Sequence, residues 1–464
     1  MKSETRSEHD SMGSVAVPRA ALYGAQTQRA VQNFTISPER LPITFINAIL
    51  IIKQAAALVN RDLGLLSAEK AAAIIFSVET LLDKQINDHF PVSVFQTGSG
   101  TSTNMNVNEV ICGRAREKGI ELSANDDVNL GQSSNDVIPS ALHLAAARQM
   151  RSSVIPALTE LAVIIRDQAH KHKNVIKTGR THLMDALPIR LQNELEGWAS
   201  QVDDNITRLN SSLPRLLRLP LGGTAVGSGV NCHPLFAEKT LALISKTCGL
   251  NLQKMDSAYK GLSCIDTVLE TSGHLKTTAV TLMKIANDLR WMNSGPSSGL
   301  GEIILPALQP GSSIMPDKIN PVIPEAVCMA AARVIGNDTT ITIAAQSGNF
   351  QLNTMLPLAA ADLLQSTELI SGAARSLGSK AIRDVQVRVE RMEAPLKSNP
   401  ILVTSLAPYI GYLEAARIAK MARQEQRSVY EVALDETEIE QGLLERLLDP
   451  GHLADGGNNS ENKE

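Results

Sequence analysis

A chain of 464 residues, 43% of them hydrophobic, is long enough for one large buried core or two to three ordinary ones, which excludes a small stapled module. Lys and Arg total 44 against 48 Asp and Glu, a formal net charge of -4, so no overall basic field invites nucleic acid or an anionic membrane. The five cysteines, Cys112, Cys232, Cys248, Cys264 and Cys328, show no CxxC or CxxxC spacing for zinc or an iron-sulfur cluster and read as reduced thiols, so no metal site is expected.

The first ten residues mix acids with bases and no apolar stretch follows them, so no secretory signal is expected and a cytoplasmic location is. The apolar stretch from Ile43 to Val59 is interrupted by Asn47, Lys53 and Gln54, which argues against a membrane span. Three- and four-residue spacing of apolar positions predicts helices within Ile46 to Val59, Ala141 to Ala169, Leu191 to Leu217, Phe236 to Arg290 and Pro324 to Ala373. Aromatic residues are only 3%, as expected where Ala- and Leu-rich helices pack closely. Helices longer than about 25 residues need support along their length, so an oligomeric bundle is favoured. Residues 449–464, rich in Gly, Asn, Ser and charge, read as a disordered tail.

Chemistry is sought in the short polar segments between those helices. In Gln96-Thr97-Gly98-Ser99-Gly100-Thr101, a Gly-rich turn leads into hydroxyl residues, and Thr101 or Ser102 is expected to cap a helix whose N–H groups favour an anion. From this stretch alone an ordinary cap without a ligand is the favoured reading. Gly131 to Asp136 offers a second such start with Ser134 or Asn135 as cap, and Asp136 reads as a first-turn acid facing the helix dipole. Gly179-Arg180-Thr181-His182 is read as a loop between helices in which an imidazole, titrating near neutrality, is suited to moving protons. Pro310 to Asn320 gathers two hydroxyls, an ammonium and an amide, and ends at Asn320-Pro321, which reads as an N-cap followed by proline at the first helical position. Glu325 follows in the first turns of that helix. No P-loop, Rossmann glycine pattern or HExxH is present, so nucleotide chemistry is not supported.

Taken together these stretches resemble the fumarase/aspartase superfamily, whose hallmark loop stands here as Gly311-Ser312-Ser313-Ile314-Met315-Pro316-Asp317-Lys318-Ile319-Asn320. The similarity runs from Asp10-Ser11-Met12-Gly13 through Tyr23 to Arg29 and on to Ile410-Gly411-Tyr412. Thr97 to Thr101, Ser133-Ser134-Asn135 and Ser347-Gly348-Asn349-Phe350 look like the class II fumarase spelling and not that of aspartases. The resemblance implies a mainly α, three-domain fold with a central long-helix bundle that tetramerises: an N-terminal lyase domain over 1–138, the bundle over 139–394 and a small helical domain over 395–448. It also implies active sites shared among three subunits, and reversible hydration of fumarate to (S)-malate, in the tricarboxylic acid cycle, without cofactor or metal. An aspartate ammonia-lyase, or another lyase of the superfamily, is the nearest alternative, and a catalytically silent bundle protein is a second.

Carried over residue by residue, the resemblance assigns the substrate carboxylates to Ser99, Gly100, Thr101, Ser133, Ser134, Asn135 and Thr181, with Ser313, Lys318, Ile319 and Asn320 from the loop. It makes Ser312 the general base and pairs His182 with Glu325. This chain departs from the family in two places. Ser123-Ala124-Asn125-Asp126 stands where fumarases often read His-Pro-Asn-Asp, which puts a secondary anion site at Asn125 and Asp126 in doubt. Asp317 stands where a glycine or small residue is usual.

Overall fold

The computed structural model describes residues 4–82 and 87–456 and is mainly helical, with strands only in two-stranded sheets among those residues. The longest helices are Leu191–Leu216, Asp266–Met292, Val322–Ala345 and Leu356–Leu377. Two compact units divide the chain. One comprises Met1–Pro156, Asn205–Ala279 and Ala330–Ser371, and the other Ala157–Asp204, Val280–Met329 and Gly372–Glu464. The boundaries between them in the sequence fall inside helices.

In the first unit the helix Ile43–Asp62 packs against Ala68–Leu81, Ser134–Gln149 and Phe236–Cys248. It is long and apolar enough to cross a membrane, yet 78% of its most apolar window is buried within the protein. Phe45, Ile49, Leu50 and Ile52 are fully enclosed, each side chain contributing about 1.5–3 kcal/mol by leaving water. The C-terminal helices of the second unit share a core of their own around Leu402, Leu406, Ile418, Val432 and Leu444.

Helix boundaries differ from the periodicity in places where backbone geometry intervenes. The run expected from Phe236 to Arg290 breaks after Cys248, where Gly249 takes a left-handed conformation (φ +63°) and ends the helix. It resumes at Ala258–Ser263 and Asp266–Met292. The run from Pro324 to Ala373 is split by a small hairpin at Gly348–Asn349 and Leu352–Asn353. The run through Ala141 to Ala169 remains helical, with a wider π turn at Met150–Val154. The tail expected from 449 is structured in its first part: Asp449 Oδ1 accepts the His452 N–H at 2.7 Å and caps the helix Pro450–Ala454. The remainder, 457–464, lies outside the described residues.

Candidate active site

Two helix starts in the first unit carry predicted binding residues. The helix Thr101–Arg116 is capped not by Thr101 or Ser102 but by Gly100, which sits in the left-handed region at φ +76°. Close packing dictates this. A Cβ on Gly100 would come within 2.9 Å of the Ile138 side chain, and one on Gly98 within 1.8 Å of the Thr354 carbonyl oxygen. Gly100 has no side chain to cap with, and Gln96 Oε1 accepts the Thr103 N–H at 3.0 Å from outside the helix; the first-turn N–H groups carry the positive end of the helix dipole. Beside them Ser99 Oγ and Thr101 Oγ1 share a hydrogen bond of 2.9 Å.

The helix Ser134–Gln149 is capped by Ser133, where Ser134 or Asn135 was expected. Ser133 Oγ accepts the Asn135 N–H at 3.2 Å, and Asp136 Oδ1 accepts the Ser133 N–H at 2.9 Å, forming a capping box. Asp136 Oδ2 accepts the N–H groups of Gly222 and Thr224, both at 2.9 Å. Burial raises the Asp136 carboxyl above its ordinary range, against the pull of those N–H groups and of Lys53. Asp136 is thus a structural acid that ties 222–224 to the helix start. Asn104 Nδ2, from the first helix, donates to Ser134 Oγ at 3.0 Å, and Asn135 Nδ2 donates to the Ala225 carbonyl at 2.8 Å.

In the second unit the loop Gly311 to Asn320 closes on itself. The Gly311 N–H donates to Lys318 O at 2.8 Å, Asn320 Nδ2 donates to Gly311 O at 2.5 Å, and Lys318 Nζ donates to Asn320 Oδ1 at 2.5 Å. Asn320 therefore spends its side chain on the loop and not on capping, and the helix begins at Val322 after Pro321. Ser312 Oγ accepts two backbone N–H groups, from Ile314 at 3.2 Å and Met315 at 3.0 Å. Asp317 has φ +64°, a conformation that glycine adopts freely and Asp tolerates better than most residues. Lys318, Ile319, Asn320 and Glu325 line a cavity of about 690 Å³ together with Asp317, Arg290 and Arg388. Ser312, Ser313 and His182 are not among its lining residues.

Thr181 and His182 lie at the tip of an antiparallel hairpin, Ile176–Thr181 with Met184–Arg190, and not in a loop between helices. Its two-residue turn is His182-Leu183, with φ +56° and +61°, the twist that matches the strands. Neither residue is glycine or asparagine, so the sequence carries no turn signal, and two left-handed side chains cost about 1–2 kcal/mol each. Ion pairs hold the hairpin near its base, at Lys177, and next to its turn, at Arg180. Lys177, 2% exposed, meets Glu194 at 2.8 Å and Glu302 at 2.9 Å, and Arg180 meets Glu302 at 2.8 Å. His182 itself is exposed. Sequence reasoning gave no role to Lys177, Arg180 or Glu302; Arg180 stood inside a segment singled out for His182, and Lys177 and Glu302 signalled only as charges beside apolar residues.

Asn125 and Asp126, the doubtful secondary anion site, are exposed in a π turn, Ala124–Val128, whose last two residues are buried. Ser123 Oγ donates to Asp126 Oδ2 at 2.7 Å, and Lys70, which reaches this turn, is engaged with both oxygens of Asp127 at 2.9 Å. Two acids in one turn, with that cation already paired, disfavour an anion there.

The family described as "Lyase" matches residues 13–336, and that described as "Fumarase C C-terminus" matches residues 402–455. A protein of Pseudomonas aeruginosa named fumarate hydratase class II 2 is 52% identical over 455 residues, covering 98% of this chain and 99% of its own length. A fumarate hydratase class II of Xylella fastidiosa is 50% identical, over 97% of this chain and 96% of its own. Among solved structures, the class II fumarase of Schistosoma mansoni superposes with a TM-score of 0.95 at 35% identity, over 98% of this chain and 100% of that one.

Proposed function

The chain belongs to the class II fumarate hydratase family, and on that premise we propose that it reversibly adds water to fumarate to give (S)-malate. The observation that carries this reading is the closed loop, which presents Lys318 and Asn320 to the cavity lined by Glu325 and surrounds the Ser312 oxygen with N–H groups.

In the dehydration direction the proton to be removed lies on C3 of malate, next to a carboxylate. Taking it builds a second negative charge on that carboxylate, so the site must concentrate positive potential there. Lys318, Asn320 and the start of the helix after Gly100, with the positive end of its dipole, are suited to this. Ser312 is the proposed base. Its alkoxide is costly in water, but hydrogen bonds donated to a charged oxygen favour that form, and the Ile314 and Met315 N–H groups already point at Oγ. The C2 hydroxyl leaves as water, taking a proton from His182, whose imidazolium would be stabilised by Glu325. Ser99, Thr101, Ser133, Ser134, Asn135, Thr181 and Ser313 complete the carboxylate contacts.

The single chain leaves His182 outside the cavity that Glu325 lines, which favours an assembly in which different subunits supply the two. We place the protein in the cytoplasm as a homotetramer built on the long helices, with three domains and three-subunit active sites, serving the tricarboxylic acid cycle.

The deciding experiment is the appearance of fumarate absorbance from malate, repeated with aspartate, argininosuccinate and adenylosuccinate. Activity on malate with none on the others supports the reading, and activity on aspartate alone overturns it. The cysteines are dispersed, and no cluster of three metal-ligating side chains exists among the described residues. Activity is therefore expected to survive a chelator in air, and its loss would contradict a metal-free mechanism.

Asp317 is exposed at the cavity, where screening weakens its field on a dianion. Asp317→Gly is expected to change KM for malate by less than about threefold, under roughly 1 kcal/mol. A tenfold fall in KM that shrinks as salt is raised would show that the acid acts on substrate.

A further inference from the structure

Lys53 sits in the middle of the helix Ile43–Asp62 with none of its surface exposed. A buried ammonium is tolerated only where acceptors take its protons. Here they are two side-chain carbonyls: Nζ donates to Asn129 Oδ1 at 2.9 Å and to Gln132 Oε1 at 3.0 Å. Burial lowers the ammonium to about 7, with Asp136 pulling the other way.

Both acceptors lie in the turn that delivers Ser133 and Ser134. Within it Asn129 Nδ2 donates to Gln132 O at 3.1 Å, and Gln132 Nε2 donates to Val128 O and Leu130 O at 3.1 and 3.2 Å. Asn60, two turns beyond Lys53 on the same helix, donates to Leu130 O at 3.0 Å. The helix thus grips the turn at two points. A second branch leaves from Asn129 Oδ1, which also accepts from Asn104 Nδ2 at 3.1 Å, while that same amide donates to Ser134 Oγ at 3.0 Å. A serine oxygen that accepts from Asn104 keeps its own O–H free to donate elsewhere.

We propose that Lys53 is a positioning residue for the dicarboxylate site: its ammonium fixes the turn at Asn129 and Gln132 and, through Asn129 and Asn104, aims the Ser134 hydroxyl at a substrate carboxylate. This rests on the hydratase reading above, in which Ser134 takes a carboxylate. A methionine of similar length would fill the same space with no charge to desolvate, so the ammonium adds orientation and not packing.

The test is steady-state kinetics of the full-length protein with Lys53→Met, Asn104→Ala and the two combined. A contact to a carboxylate exists in both ground and transition states, so its loss raises KM and leaves kcat nearly unchanged. Each single variant is expected to raise KM for fumarate tenfold or more, about 1.4 kcal/mol, with kcat within about threefold of wild type. Because both act through one hydroxyl, the double variant is expected to exceed the worse single by no more than about twofold. A lysine that served stability alone would give a lower melting temperature and active fraction with KM unchanged, and that result overturns the proposal. Where Lys53→Met fails to fold, Asn104→Ala decides: an unchanged KM overturns the proposal and a tenfold rise supports it. A wild type that does not turn over fumarate overturns the hydratase reading and this inference with it, whereas an active wild type beside variants of unchanged KM overturns this inference alone.

Discussion

If Ser312 is the base proposed above, Ser312→Ala is expected to lower kcat for malate dehydration by on the order of a thousandfold, within the range that removal of a general base produces. Lys318 and Asn320 still hold the loop through Gly311, so KM is expected to stay within about threefold, which separates loss of the base from loss of binding. The loop is exposed around Ser313 to Ile319 and contributes little to either core, so thermal unfolding should not move. The check is a kcat and KM determination beside a melting curve. A variant that keeps more than about a tenth of wild-type kcat means that another group takes the C3 proton.

Gly311→Ala is expected to reduce kcat/KM about a hundredfold, because misplacing reacting groups by about 1 Å has an effect of that size. A Cβ there would lie 2.2 Å from the Lys318 carbonyl oxygen and 2.8 Å from the Asn320 nitrogen. Both are backbone atoms and cannot rotate away as a flexible side chain can. The Gly311 N–H to Lys318 O bond must open, and Lys318 and Asn320 lose their registration with Ser312. Stability should again be nearly unchanged, so the measurement is kcat/KM at equal active concentration. A loss of less than threefold would show that the closed loop seen here is not the form that catalysis requires.

The helical class was legible because an apolar stripe of period 3.6 is a property of neighbouring residues, and Leu191–Leu216 and the other long helices answer to it. The loop from Gly311 to Asn320 was legible for a similar reason. Its groups lie within ten residues of one another, and its closing bonds join residues at most nine apart. The stretches at Ser99 to Thr101 and Ser133 to Asn135 could likewise be identified as helix starts, although which residue caps each could not. Gly100 caps because Ile138, far along the chain, leaves no room for a Cβ.

The tertiary structure alone decided the rest, because the energies concerned are exchanged between residues that sequence keeps apart. Lys53 appears in the sequence as a charge that spoils an apolar run. It becomes a clamp only when Asn129, 76 residues on, supplies an acceptor. Asn104 reaches Ser134 across 30 residues, and Asp136 reaches Gly222 across 86. The turn at His182 carries no glycine or asparagine and is imposed by strand pairing between Thr181 and Met184 together with the ion pairs that Lys177 and Arg180 make to the buried Glu302. Local periodicity and composition settle which segments coil and where polar chemistry can sit, since those depend on each residue and its near neighbours. Which buried charge finds which acceptor depends on packing that brings distant segments within 3 Å, and no short stretch of sequence records that distance.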